Sequence, residues 1–97
     1  MAPYSFHGTA RIELNEAADY YDNEHRGLGL LFVDAVKRAV TQIRKHPESC
    51  EVLRDRNRAK LVDGFPYSII YSFVDGHVRV LAVAHHRRRP FYWSGRR

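Results

Sequence analysis

The hydrophobic period of the chain changes once, around Pro47, and that change narrows the folds open to it. Up to Ile43 the apolar side chains recur every three or four residues, the spacing of a helix with one buried face. From Arg58 onward they crowd into short β-branched and aromatic runs, the composition of strands. A single domain over residues 1–97 that makes helices first and strands second is α+β, with its helices on one face of a sheet.

Within that frame, Tyr4 to His7 reads as a short strand with Tyr4 and Phe6 on one face. A first helix begins at Ala10, with Thr9 as N-cap and Ala10, Leu14, Ala17, Ala18 and Tyr21 on its apolar stripe; Glu13, Glu16 and Asp19 lie between. Asp22 to Gly29 breaks the pattern. A second helix carries Phe32, Val36, Ala39, Val40 and Ile43 on one stripe, with Asp34, Lys37, Arg38 and Arg44 off it, and Pro47 ends it. Strands follow at Arg58 to Val62, Tyr67 to Val74 and Val78 to His86, separated by Asp63-Gly64 and by Asp75-Gly76, a strong hairpin signal. The expected order is β-α-α-β-β-β, an antiparallel sheet with an N-terminal helix hairpin packed on one face.

The net charge of +5 is unevenly placed. Residues 1–49 hold six Lys/Arg against seven Asp/Glu, whereas residues 50–97 hold ten against four, which favours an anionic partner for the second half. Cys50 is the only cysteine, so neither an internal disulfide nor a thiolate zinc cage can form, which suits a reducing cytosol. Residues 1–4 lack the basic and apolar regions of a signal peptide, and no apolar run approaches the ~18 residues of a bilayer span. A non-exported, cytoplasmic protein with no membrane partner is expected.

Six histidines invite a metal site, but the pattern argues against one. His85 and His86 are adjacent on a strand, where successive side chains point to opposite faces, and no HExxH occurs. There is no GxSxG elbow and no phosphate loop, and Gly27 and Gly29 follow a helix and serve as a turn. No metal and no cofactor is expected. What remains is the basic, aromatic block from His85 to Arg97. Its arginines suit phosphate contacts and its aromatics suit base stacking, although the only tryptophan, Trp93, is as well placed to cover the sheet.

Taken in order, several pieces resemble one family. They are Ala17, Tyr20 and Tyr21; Gly29 and Phe32; Pro47; Arg58; Phe65-Pro66-Tyr67 with Ile69 and Tyr71; and Leu81-Ala82-Val83 with His85, Arg88, Pro90, Trp93 and Arg96. From end to end the chain resembles the RelE/ParE toxin superfamily of type II toxin-antitoxin systems, in particular its ParE-like, plasmid-stabilisation branch.

That resemblance implies a growth-arresting toxin neutralised by a cognate antitoxin, ParD-like or similar, in a toxin-antitoxin hetero-oligomer. It implies one of two targets: DNA gyrase, poisoned without nuclease chemistry, or ribosome-bound mRNA, cleaved by 2′-hydroxyl attack. The nuclease branch commonly carries an arginine where this chain has Ser68, and lysines where it has Ala59 and Leu61, with Lys60 left on the opposite face. Tyr92 and His86 fall where nuclease members keep functional side chains, so a nuclease would rely on His86, Tyr92 and Arg58. The expected function is therefore gyrase inhibition, with no confident catalytic residue and mRNA cleavage as the alternative. By the same resemblance, His85, Arg87, Arg88, Arg89, Tyr92, Trp93 and Arg96 are the expected target-binding residues, and Leu14, Tyr21, Leu28, Leu31 and Arg58 the antitoxin-binding ones.

Overall fold

In the computed structural model, which covers residues 1–97, strand β1 (Tyr4–Phe6) leads into helices α1 (Gly8–Glu24) and α2 (Leu28–Lys45). Strands β2 (Arg58–Leu61), β3 (Tyr67–Val74) and β4 (His77–His85) follow. The sheet runs β1-β4-β3-β2, with both helices on one face.

The helix hairpin forms where the period placed it, with refinements at its ends. His7, in extended conformation, caps α1: its Nδ1 accepts from the Thr9 N–H at 3.1 Å, so the helix starts before the expected cap at Thr9. Between the helices the Asp22 carboxylate accepts from the N–H groups of Gly27 (2.9 Å) and Gly29 (3.3 Å), placing negative charge on otherwise unpaired donors at the start of α2. Gly29 is buried, and a Cβ there would collide with the Ala18 carbonyl oxygen, so glycine sets how closely the helices approach. The predicted stripe of α2, Phe32, Val36, Ala39, Val40 and Ile43, is buried throughout.

The sheet differs from the antiparallel expectation in one strand: β1 runs parallel to β4, with Tyr4 beside Val78 and Phe6 beside Val80. Parallel neighbours need a long crossover, and everything from α1 to β3 lies between these two. The meander β2-β3-β4 is antiparallel, and its Asp75-Gly76 turn has positive φ at both residues (51° and 74°), as a two-residue I′ hairpin requires.

A bulge in β4 resolves a parity conflict in its sequence. The register passes from Ile70 opposite Ala82 to Tyr71 opposite Val80, leaving Leu81 as the extra residue. Val78, Val80 and Val83 can then all face the helices, packed with Phe32, Ile43, Ile69 and Tyr71. The other face carries a smaller cluster of Ile70, Ala82, Ala84 and Trp93, so the C-terminal segment after β4 folds back as a strap over the sheet.

Candidate functional site

The strap is fastened at one point. Strand β1 ends opposite Val80, so the edge of β4 beyond it has no strand beside it. Glu13 of α1 fills that place. Its carboxylate accepts from the buried Val83 N–H (3.0 Å), from the Tyr92 hydroxyl (2.8 Å) and from both terminal nitrogens of Arg96 (3.0 and 3.1 Å). Arg96 also donates to the Leu81 carbonyl at 3.0 Å, so Glu13 and Arg96 together stand in for the missing strand. This bidentate pair is the only ion pair in the structure, with side chains 16% (Arg96) and 11% (Glu13) exposed. Burial, the hydrogen bond to Glu13 and that carboxylate's charge push the Tyr92 phenol well above the ordinary tyrosine range, with Arg88 and Arg96 acting the other way. It stays a neutral donor. Sequence reasoning missed Glu13 as a hub. The signal was its spacing, three residues after Ala10 and four before Ala17, which puts a carboxylate on the buried face of α1.

The predicted target-binding residues divide into two groups. Tyr92 and Arg96 are held by Glu13, and Trp93, 4% exposed, packs on Ile70, Ala82 and Ala84. Arg87, Arg88 and Arg89 are exposed, with the Arg88 guanidinium 3.8 Å above the Tyr92 ring. His85 sets its ring edge-on against Tyr67 (4.9 Å), and its Nδ1 accepts from the Arg87 N–H at 3.0 Å, which leaves the proton of the neutral ring on Nε2. His86 is exposed and shares a 3.0 Å hydrogen bond with Ser68. Tyr67 and Ser68 alternate across β3, so the two histidines do lie on opposite faces.

Of the three residues that a nuclease would use, His86 and Tyr92 line one depression on the strap face, with Arg88 and Arg89, while Arg58 lies apart from them. Arg58 donates to the Glu48 and Cys50 carbonyls (2.9 and 2.6 Å) and sits opposite Tyr71, on the helix side of the sheet. On the strap face the Tyr92 hydroxyl is engaged by Glu13, and His86 shares its hydrogen bond with Ser68. The alternation placing Lys60 on the opposite face from Ala59 and Leu61 holds for a regular β2, in register with β3 at all four residues.

A second surface lies between the helices and β1. Tyr4, Phe6, Leu14, Val33, Val36 and Val40 floor a groove of about 310 Å³, rimmed by Arg11, Lys37 and Arg44. Arg11 lies 4.9 Å over Phe6 and Arg44 4.6 Å over Tyr4, so the rim cations rest on rings of the floor. Of the predicted antitoxin-binding residues, Leu14 lines this groove. Tyr21 packs inward on Phe32, Phe65 and Tyr67, Leu28 is half-buried at the start of α2, and Leu31 is exposed. With Arg58 at the sheet's far edge, the five do not form one surface.

Two helices on one face of a four-stranded mixed sheet, with a basic strap on the other, define a small α+β fold. Residues 4–90 match the ParE toxin of the type II toxin-antitoxin system parDE, and the chain belongs to that family. It is a type II toxin of the ParE kind, and the family carries an antitoxin as partner. The fold is shared with the solved structure of a chromosomal ParDE toxin-antitoxin system from P. aeruginosa: TM-score 0.78, 13% identity, over 88% of this chain and 96% of that one. No curated protein sequence matches. No helix is long and apolar enough to cross a membrane.

Proposed function

We propose that this toxin inhibits DNA gyrase in the cytoplasm, and that a ParD-like antitoxin holds it inactive in a hetero-oligomer. The observation carrying the choice of target is that Arg58 lies apart from His86 and Tyr92 and that the polar groups of Arg58 and Tyr92 are already engaged. Cleaving RNA needs a base, an acid and cations converging on one phosphate. Here the guanidinium of Arg58 is taken up by two backbone carbonyls, and the Tyr92 hydroxyl by Glu13. A poison needs only a rigid surface that fits its target. The strap supplies one, because Trp93 and the Glu13 clasp fix the backbone that presents His85 and Arg87 to Arg89.

The helix-side groove supports the antitoxin half of the reading. An apolar floor with a cationic rim fits an amphipathic acidic segment, whose apolar side chains fill the groove while its carboxylates meet Arg11, Lys37 and Arg44.

The test is purified toxin added to gyrase and relaxed plasmid, with an in vitro translation reaction run in parallel. Supercoiling is expected to stop and translation to continue. Normal supercoiling together with transcripts cut on the ribosome would replace this reading with mRNA cleavage.

A further inference from the structure

Two segments far apart in sequence build a ridge of guanidinium groups beside the strap. Arg54 and Arg56 come from the turn before β2, Arg87, Arg88 and Arg89 from the chain after β4, and all five are exposed. The segments meet directly: Leu53 lines a shallow depression with Arg88 and Arg89, and the Arg54 guanidinium lies 4.0 Å above the Phe91 ring. None of the five is ion-paired, since the only ion pair joins Arg96 to Glu13. Asp55, the one acidic residue within the ridge segments, forms no salt bridge. Five unneutralised cations on two adjoining segments favour an anionic partner.

The backbone under the ridge is unusual as well. Four non-glycine residues have positive φ: Asp55 (58°), Arg56 (62°), Phe91 (59°) and Asp75 (51°). Asp75 is explained by its I′ turn. The other three belong to the ridge, and for Arg56 and Phe91 this conformation is uncommon. Each fills a tight turn: Asp55 and Arg56 the one closed by the Asn57 N–H on the Arg54 carbonyl (3.1 Å), and Phe91 the one closed by the Tyr92 N–H on the Arg89 carbonyl (3.2 Å), so the ridge arginines flank or occupy fixed turns.

The chemistry of the partner follows from what the aromatic rings are doing. Recognition of single-stranded nucleic acid depends on open aromatic faces for bases to stack upon. Here Arg54 covers Phe91, Arg88 covers Tyr92 and Trp93 is buried. What the ridge offers is planar guanidinium donors, braced by rings, and these suit phosphate oxygens. An acidic peptide is better served by the groove across the molecule, where cations rim an apolar floor.

We propose that Arg54, Arg56, Arg87, Arg88 and Arg89 bind the phosphodiester backbone of duplex DNA directly. This deepens the gyrase reading and rests on it for biological context: gyrase works on duplex DNA, so the toxin grips the nucleic acid as well as the enzyme.

The test is fluorescence anisotropy of a labelled duplex titrated with full-length toxin, without gyrase, across a salt series. Three to five phosphate contacts give a slope of log affinity against log salt of about −2.7 to −4.5, or a loss of roughly 40- to 500-fold between about 50 and 200 mM. R87A/R89A is expected to flatten that slope by about two units. R38A/K45A, on the exposed side of α2, is expected to leave it unchanged. Native Trp93 emission in each variant shows that folding is intact. No binding at low salt, an unchanged slope in R87A/R89A, tighter binding of single-stranded RNA, or full competition by an acidic peptide would each overturn the proposal. Supercoiling inhibition, read on the same preparations, separates it from the functional reading. Gyrase inhibited without DNA binding sinks the ridge alone, and DNA bound without gyrase inhibition sinks the gyrase target alone.

Discussion

Replacing Glu13 with alanine removes one acceptor from four donors at once: the Val83 N–H, the Tyr92 hydroxyl and two nitrogens of Arg96. Both partners of the ion pair are largely enclosed, so water can restore only part of what is lost. Hydrogen bonds to a charged group contribute about 1.5–3 kcal/mol each, but these share one carboxylate and do not add. Leaving a half-buried guanidinium and a buried N–H unpaired puts the loss for E13A at about 3–4 kcal/mol, near the cost of breaking a buried ion pair. A domain of this size holds roughly 5–15 kcal/mol in all, so a large fraction of its stability rests on this side chain. The melting temperature is expected to fall by about 15–20 °C. Trp93 makes the assay specific, because it is the only tryptophan and lies in the strap that the clasp fastens. In a urea titration, E13A should expose Trp93 at a lower midpoint, by a red shift of its emission. E13Q, which keeps an acceptor oxygen, should lose about half as much as E13A. The double variant E13A/R96M should be more stable than the sum of its singles predicts, since removing both charges leaves neither unpaired. A loss below about 0.5 kcal/mol in E13A, with unchanged Trp93 emission, would refute the clasp.

Three further outcomes follow from the fold. G29A drives a methyl group into the Ala18 carbonyl, and the helices must separate; a loss of about 1–3 kcal/mol in chemical denaturation is expected, and a stabilised variant would contradict the close approach. D22A removes the acceptor from the first turn of α2 and should cost about 1 kcal/mol, an effect that no loss in a urea melt would disprove. The third outcome concerns alkaline pH. Burial raises Tyr71 and Tyr92, so above the ordinary phenol value of about 10 the folded state keeps protons that the unfolded state has lost. Their contribution is complete below that value and is lost as pH rises beyond it, so wild type should lose stability faster than Y71F/Y92F between about pH 10 and 11. Parallel declines would remove the argument.

The element order was legible because the period switch is strong and the turn residues mark its joints. Phe32, Val36, Ala39, Val40 and Ile43 were readable as core for the same reason, and the separation of His85 from His86 followed from strand alternation alone. The direction of β1 was not legible: a three-residue strand carries no pattern that reports its neighbour, and its place is decided by the register of β4. The bulge was half visible, since Val78, Val80 and Val83 cannot share a face of a regular strand. Arginines were the hardest to assign. Arg58, Arg88 and Arg96 look alike in sequence, yet one binds backbone carbonyls, one stays free above a ring, and one closes the clasp. Which carbonyls and carboxylates lie nearby is a property of the assembled fold.

That division of labour among arginines links the strap's stability to its surface. Arg96 is neutralised by Glu13 and anchors the end of the chain, so the charge left unpaired is concentrated before Pro90, beside Arg54 and Arg56. Without the clasp, Arg96 has no carboxylate partner and keeps only the Leu81 carbonyl, and the segment that carries Phe91 beneath Arg54 loses its tether to α1. A perturbation at Glu13, on the opposite side of β4 from the depression, should therefore disorder the ridge while leaving every ridge arginine in place. Below its melting temperature, E13A is expected to keep a DNA-binding salt slope close to wild type, because the number of cations is unchanged, but to bind more weakly through lost preorganisation. R87A/R89A should show the reverse, a flatter slope on an intact fold. If both variants changed the slope alike, the clasp would be part of the binding surface and not its support.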